Sequence, residues 1–434
     1  MGKAALNLAA LSAAALLSAA PCWADADADT KAPDASGAPP PTPSPGFLSK
    51  WLNPTTAPFI PVPEIAVDPD SGTTLGLLAV WVKTDENHEI RRIIAPDVLH
   101  NPYFGYGFHA RMYVYSSQDE QWSLVGGIKE RVEREFDAEY QLGRLRAQRW
   151  SVNYSVISDR DGTPRFFGIG NKTREADETN FTNQQQLAQV QVGLNITHAW
   201  QLLYTARMQI VDVLPGHLDG VASIESRFSD VTGLGTSNAF LNRLSLVYDT
   251  RDDLTVPTRG VQWVAYGGAA SRSGLLNDSM YSEAGADARA YWPIAANNIL
   301  AVHMAVRYLP TTHDIPFWAL SSLGGGESVV GGAQPLRGFG AGRFYDRDSF
   351  SSTVELRRTI MSFSAASTNV DLEFAPFIDL GRVFSHSGTF PLDQLHHVYG
   401  VGFRGIARPF VVGKVDIGYG SDGVAVFTGL NYPF

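Results

Sequence analysis

Residues 298–309 read Asn298-Ile299-Leu300-Ala301-Val302-His303-Met304-Ala305-Val306-Arg307-Tyr308-Leu309. Leu300, Val302, Met304, Val306 and Tyr308 fall on one face at a spacing of two, and Ala301, His303, Ala305 and Arg307 fall on the other. Strict alternation marks a strand with one apolar face. It recurs at 371–381, where Leu372, Phe374, Ile378 and Leu380 oppose Asp371, Glu373 and Asp379. It recurs at 411–419, where Val415, Ile417 and Tyr419 oppose Lys414 and Asp416. At the C-terminus Val424, Val426, Leu430, Tyr432 and Phe434 alternate with Ala425, Gly429 and Asn431. In a soluble sandwich the apolar face of such strands points inward. In a membrane barrel the pattern is inverted, with apolar residues on lipid and charges in a wet lumen.

Three features favour the barrel. The alternating runs are about 10–14 residues long, against about 5–6 for an average soluble strand and about 9–11 for a tilted membrane strand. The connections alternate between brief turns and long segments at 84–102, 159–186, 214–237 and 310–348, which is the outer-membrane habit. The chain also opens with an export signal and ends on an aromatic residue, Phe434. The reading is an all-β, transmembrane antiparallel β-barrel of about 16 strands. Its first strand is placed near 73–83 and its last near 424–434.

The composition agrees. Charged residues make up 18% of the 434, below the globular average of about 25%. Aromatic residues reach 11%, enough for interfacial girdles. The net charge of −10 argues against a nucleic-acid partner. Mean hydropathy is −0.09, too low for a polytopic helical membrane protein. The single cysteine, Cys22, excludes a disulfide framework and a cysteine-based zinc cluster.

Met1-Gly2-Lys3, the apolar stretch 4–20 and Pro21-Cys22-Trp23-Ala24 read as a signal peptide over 1–24, since the apolar run is short for an anchor. Residues 25–63 form a Pro-rich linker, extended rather than packed. Within it, 47–52 is an apolar island, read as a docking segment or a plug. The barrel is expected to fill 64–434, with no soluble domain before it.

Several motifs stand in order along this frame. Leu336-Arg337-Gly338-Phe339 lies in the longest connection. Tyr248-Asp249-Thr250-Arg251-Asp252-Asp253, with Pro257 and Gly260, forms a charged turn. Phe377-Ile378-Asp379-Leu380-Gly381 lies on a strand, and Gly402-Phe403-Arg404 and Asp416-Ile417-Gly418-Tyr419 follow. Phe166-Phe167-Gly168-Ile169-Gly170-Asn171 precedes them. The set resembles the barrel of the outer-membrane assembly-factor superfamily, which includes BamA, TamA and the two-partner secretion transporters. The Phe166–Asn171 segment is similar to its bacterial surface antigen branch. Leu336 stands where that family usually has Val, and the family's periplasmic POTRA domains have no counterpart here. The resemblance implies a loop inserted in the lumen, a location in the bacterial outer membrane, and Tyr432 and Phe434 as a C-terminal signal. It implies no cofactor. The partners it implies are the lipid bilayer, a polypeptide or lipid substrate and other envelope proteins.

The loop motif has its own physical logic. A connection of about 39 residues is too long to be passive. Arg337 offers a planar fork for a carboxylate, and Asp379 and Glu373 both point to the charged face of their strand. The expectation is that Arg337 pairs with Asp379 in the lumen, with Glu373 a further tether. Asp249, Arg251 and Asp252 read most simply as a polar turn with local pairing, and Asp68 and Asp70 beside Gly72 likewise as a turn. No phosphate loop, His-Glu-x-x-His or nucleophile elbow occurs, so neither an enzyme nor a metal site is expected. Two functions remain open: a barrel that assists insertion or translocation of protein or lipid through a weak first-to-last seam, or a passive or gated channel.

Overall fold

The computed structural model describes residues 60–85, 90–271, 279–311, 314–365, 368–385, 394–407 and 411–434. The signal reading over 1–24 and most of the linker lie outside these residues. One antiparallel meander dominates the rest. Its strands are β1 (Ile60–Asp68), β2 (Gly72–Thr84), β3 in two pieces (Ile90–Ile94 and Asp97–Asn101), β4 (Gly105–Tyr115), β5 (Glu120–Lys129) and β6 (Arg134–Leu142). Then come β7 (Trp150–Asp161), β8 (Thr179–Asn195), β9 (Trp200–Pro215), β10 (Gly235–Asp249), β11 (Gly260–Ser271) and β12 (Tyr281–Ala295). The last six are β13 (Asn298–Tyr308), β14 (Asp348–Ala365), β15 (Thr368–Phe384), β16 (His396–Ala407), β17 (Val411–Gly420) and β18 (Gly423–Leu430). Each pairs with the next, and β1 lies beside β18, which closes the sheet into a barrel.

The inverted alternation decides the solvent on each side. On β13, Met304 is 48% exposed while His303 beside it is fully buried. Lipid-facing positions elsewhere include Leu77, Phe108, Leu244, Ile378 and Val424. Arg243, Glu283, Glu355, Asp379, Arg404 and Asp416 face inward. A strand that exposes Leu and Ile and encloses Arg and Glu is stable only where the outer solvent is hydrocarbon. Trp200, Tyr248 and Trp263 pack in a row at one rim, their rings tilted at 45° and 48° with centroids 4.7 and 5.6 Å apart, as in an interfacial girdle. Inside, one wall carries amides among charges: Gln121 donates to Gln141 (2.8 Å), Gln209 to Gln185 (3.1 Å), and Gln141 and Asn153 to Glu139 (2.6 and 2.8 Å).

Two strands lie where the alternation gave none. The expected first strand, 73–83, is β2, and β1 precedes it, starting four residues inside the segment read as linker. Pro61 and Pro63 hide β1, because proline is excluded from central strands. Here the proline side faces the seam. The Val67 N–H points across it to Thr428 Oγ1 (3.1 Å), and Pro63 stands an even number of residues earlier. The connection 84–102 holds β3, whose two pieces are too short to show a period and are split at Ala95-Pro96. The count is therefore eighteen strands among the described residues rather than sixteen. The first and last described residues lie at the same rim, and the long connections lie at the other.

Candidate functional site

Between β13 and β14 the described residues 314–347 turn back into the lumen. A two-stranded ribbon (Ser321–Leu323 with Phe344–Asp346) carries the loop inward. A turn then closes on itself, with Phe339 N–H donating to Leu336 O (3.0 Å). Leu336, Phe339, Leu323 and Phe344 are buried against Phe377, Val383 and Val398 of the wall. Gly338 sits so close to β17 that an added Cβ would lie 2.7 Å from Gly420 N, and one on Gly418 would lie 2.0 Å from Arg337 O. Glycine on both partners is what lets backbone meet backbone here.

That approach places Arg337 among carboxylates. Its Nη2 and Nε donate to the two oxygens of Asp379 at 2.8 and 2.9 Å, and its backbone N–H reaches Asp379 Oδ2 at 3.0 Å. Nη1 meets Glu355 Oε2 at 2.8 Å and Asp416 Oδ1 at 3.4 Å. The guanidinium lies 3.4 Å from the centroid of the Phe377 ring. Arg404 bridges Glu355 and Asp416 at 3.2 and 2.8 Å, and Arg357 Nε donates to the other oxygen of Glu355 at 2.8 Å. Three guanidinium groups thus face three carboxylates, all six fully buried. A bidentate, balanced cluster is how buried charge offsets its desolvation.

The structure brings together Leu336, Arg337, Gly338, Phe339, Phe377 and Asp379, and Gly381 backs the loop at Leu323. It does not bring Glu373. That carboxylate accepts from Tyr432 OH at 3.3 Å instead, so Glu373 is not a tether of Arg337. Its strand is tilted, and the inward positions Ala375 and Phe377 separate it from Asp379. The partners that sequence reasoning missed are Glu355, Arg357, Arg404 and Asp416. Arg404 and Asp416 stood in the motifs quoted above without an assigned partner, and the signal of Glu355 and Arg357 was an inward position on an alternating strand, shared with many others.

Asp249, Arg251 and Asp252 lie at the opposite rim, in the β10–β11 turn. Arg251 Nη2 pairs with Asp249 Oδ2 at 2.8 Å, and Asp252 accepts from Thr258 N and Arg259 N at 2.9 and 3.1 Å. Burial pushes the Asp252 carboxyl up, but the Thr258 hydroxyl and these N–H groups hold it below the usual range. Tyr432 and Phe434 are not on a strand. β18 stops at Leu430, Asn431 takes φ +66°, and the last residues turn into the lumen.

The loop is also clamped from outside. Gly170 N–H donates to Tyr345 O (2.7 Å), and His396 Nε2 lies 2.9 Å from Asn171 O while its ring stacks on Phe344. His396 is thus packed against the loop. Asp70, in the β1–β2 turn, accepts from Ala341 N at 2.7 Å. Arg343 pairs with Asp422 of the β17–β18 turn at 2.5 Å. The loop therefore touches both turns that flank the seam.

A family model described as the Omp85 superfamily domain matches residues 120–419, from β5 to the end of β17. No curated protein matches the sequence. Among solved structures, BamA from Haemophilus ducreyi lacking POTRA domains 1–3 is similar in fold at 12% identity. Its TM-score is 0.50, over 82% of this chain and 75% of that one. CdiB from Escherichia coli also aligns, at 12% identity and TM-score 0.46, over 85% of this chain and 62% of that one. CdiB from Acinetobacter baumannii gives 11% and 0.45, over 86% and 59%. The chain thus spans about three-fifths of the length of the two CdiB chains. With the family model covering well over half of the residues and a lumen loop seated among strands it includes, this chain belongs to the Omp85 superfamily and is a barrel of the bacterial outer membrane.

Proposed function

We propose that this barrel assists the insertion or translocation of polypeptide at the outer membrane, without enzymatic chemistry, through the seam between β1 and β18. The observation that carries the reading is the seam itself. Among the described residues no backbone ladder joins the two strands, while every other neighbouring pair is laddered. One hydrogen bond across it runs from the Val67 N–H to the Thr428 hydroxyl. The two strands are also short, at 9 and 8 residues, where a span takes about 9–11. Pro61 and Pro63 remove donors from one edge, so the closed seam gains little and an incoming strand competes with little. In this reading the Arg337–Asp379 clasp tethers the loop that bridges the seam's two turns.

A disulfide across the seam tests it. Val67→Cys with Thr428→Cys, in the chain refolded from Asp25 so that Cys22 is absent, is reconstituted in liposomes with an unfolded outer-membrane barrel as substrate. Oxidation is expected to slow substrate insertion about tenfold, and reductant to restore it. Insertion at the same rate with the seam locked would reject the seam. No acceleration over empty liposomes, with a steady ion current, would favour the channel.

A further inference from the structure

The lumen keeps a cavity of about 370 Å³ beside β4, β5 and β6, bordered also by the β10–β11 turn. Its wall follows from the ladders. Tyr113 of β4 lies opposite Ser123 of β5, and Ser123 lies opposite Glu139 of β6. Tyr115, Gln121 and Gln141 form the neighbouring inward row. Ser123 is short, so the Tyr113 and Tyr115 rings and the carboxylates of Asp137 and Glu139 border one space.

Neither acid is neutralised by a cation of the chain. Gln141 and Asn153 donate to Glu139 at 2.6 and 2.8 Å, and both take Oε1. Oε2 of Glu139 receives no donor from a described residue and is left to the cavity. Asp137 is 9% exposed and makes no hydrogen bond or ion pair with a described residue. The charged groups Glu139, Glu135 and Asp159 stand around it, all carboxylates. The guanidinium groups that border the cavity are committed elsewhere: Arg144 to Gln121 (2.8 Å), Arg251 to Asp249 (2.8 Å) and Arg289 to Asp287 (2.9 Å). Neighbouring carboxylates withdrawn from water repel each other and call for a counter-charge.

The form of that counter-charge can be read from the wall. No group of three metal-ligating side chains gathers among the described residues, so a bare metal ion is poorly served. An organic ammonium is better served, because aromatic faces attract it and carboxylates accept its protons. Asp137 and Glu139 stand two residues apart on one face of β6, a separation of about 6.6 Å at the usual strand rise. That matches the span between the nitrogens of an extended four-carbon diamine. We infer that this cavity binds a short aliphatic diamine, one ammonium on Asp137, the other on Glu139 Oε2, and the methylenes along the Tyr113 and Tyr115 rings. The site lies on the β4–β6 wall, apart from the Arg337 clasp, and stands whether or not the seam admits polypeptide.

The test is calorimetric titration of the chain refolded from Asp25 in nanodiscs of zwitterionic lipid, with 1,4-diaminobutane as probe and empty nanodiscs as blank. Saturable binding of one diamine per barrel is expected. With its single ammonium, 1-aminobutane is expected to bind about tenfold more weakly. Asp137→Asn is expected to bring the diamine down to the level of 1-aminobutane. Ser123→Phe keeps both carboxylates but fills the space, and is expected to abolish binding. Heat-modifiable migration checks that each variant has folded. A lysine side chain is the other source of an ammonium, so Nα-acetyl-lysine methylamide is titrated beside the amines and is expected to bind no better than 1-aminobutane. Absence of saturable binding overturns the site, as does equal affinity for diamine and monoamine. Native affinity in folded Asp137→Asn or Ser123→Phe would place the diamine elsewhere on the barrel. A lysine derivative as tight as the diamine would replace the diamine with a polypeptide side chain.

Discussion

Arg337 answers three carboxylates at once. Removing it leaves Asp379, Glu355 and Asp416 buried with only Arg404 and Arg357 to share. Breaking a buried pair in this way costs about 3–5 kcal/mol, less where lumen water reaches the vacated volume. Arg337→Ala is expected to lower the urea midpoint of the lipid-refolded barrel, read by heat-modifiable migration. Asp379→Asn is expected to be milder, because the guanidinium keeps Glu355 and Asp416. A larger loss for Asp379→Asn would mean that the charge of Asp379, not the share of Glu355 and Asp416, holds the guanidinium and with it the loop. Phe339→Ala removes a fully enclosed ring and should cost about 3–5 kcal/mol on the same assay.

At the scale of elements, the turn between β1 and β2 and the lumen loop form one unit through Asp70 and Ala341. Burial, with the Asp68 carboxylate beside it, pushes the Asp70 carboxyl up to about 8 against the pull of Arg165 and the Ala341 N–H; Glu178 adds to the rise. The folded value lies above the ordinary 3.8, so folding favours the neutral acid. The stability it adds is fully present below the ordinary value and is lost as pH rises through about 8. Hydrogen exchange of amides in 336–346, corrected for intrinsic rates, should therefore lose protection between pH 6 and pH 9. Asp70→Asn should flatten that slope; an unchanged slope would place the titration elsewhere. The elements also show why two strands escaped the reading of the sequence. β1 carries prolines that only a seam edge tolerates, and β3 is two five-residue pieces around Ala95-Pro96.

At the scale of the whole molecule, the described residues form a lipid-facing wall whose lumen is lined on one side by amides and carboxylates and filled on the other by the loop and the C-terminal residues. Single-channel currents through the native barrel are expected to be small and fluctuating, and to grow in Arg337→Ala as the loop loosens. Large, steady currents in both would mean that loop and tail leave an open path, and the clasp would have no gating role. At this scale the division between sequence and structure becomes plain. Alternation with charges on one face, strand length and the placing of long connections determined an outer-membrane barrel, because a period of two is local and survives any tertiary arrangement. The order of Arg337, Asp379 and their neighbouring glycines marked the loop and one partner. Which other inward residues meet Arg337 was decided by strand register and tilt. These bring Glu355 of β14, Arg404 of β16 and Asp416 of β17 to one point, and no local pattern encodes that meeting. The same holds for the C-terminus. Its alternation runs unbroken to Phe434, yet Asn431 turns it inward, because Arg357, Glu373 and His303, far away in the chain, offer its rings more than the seam does.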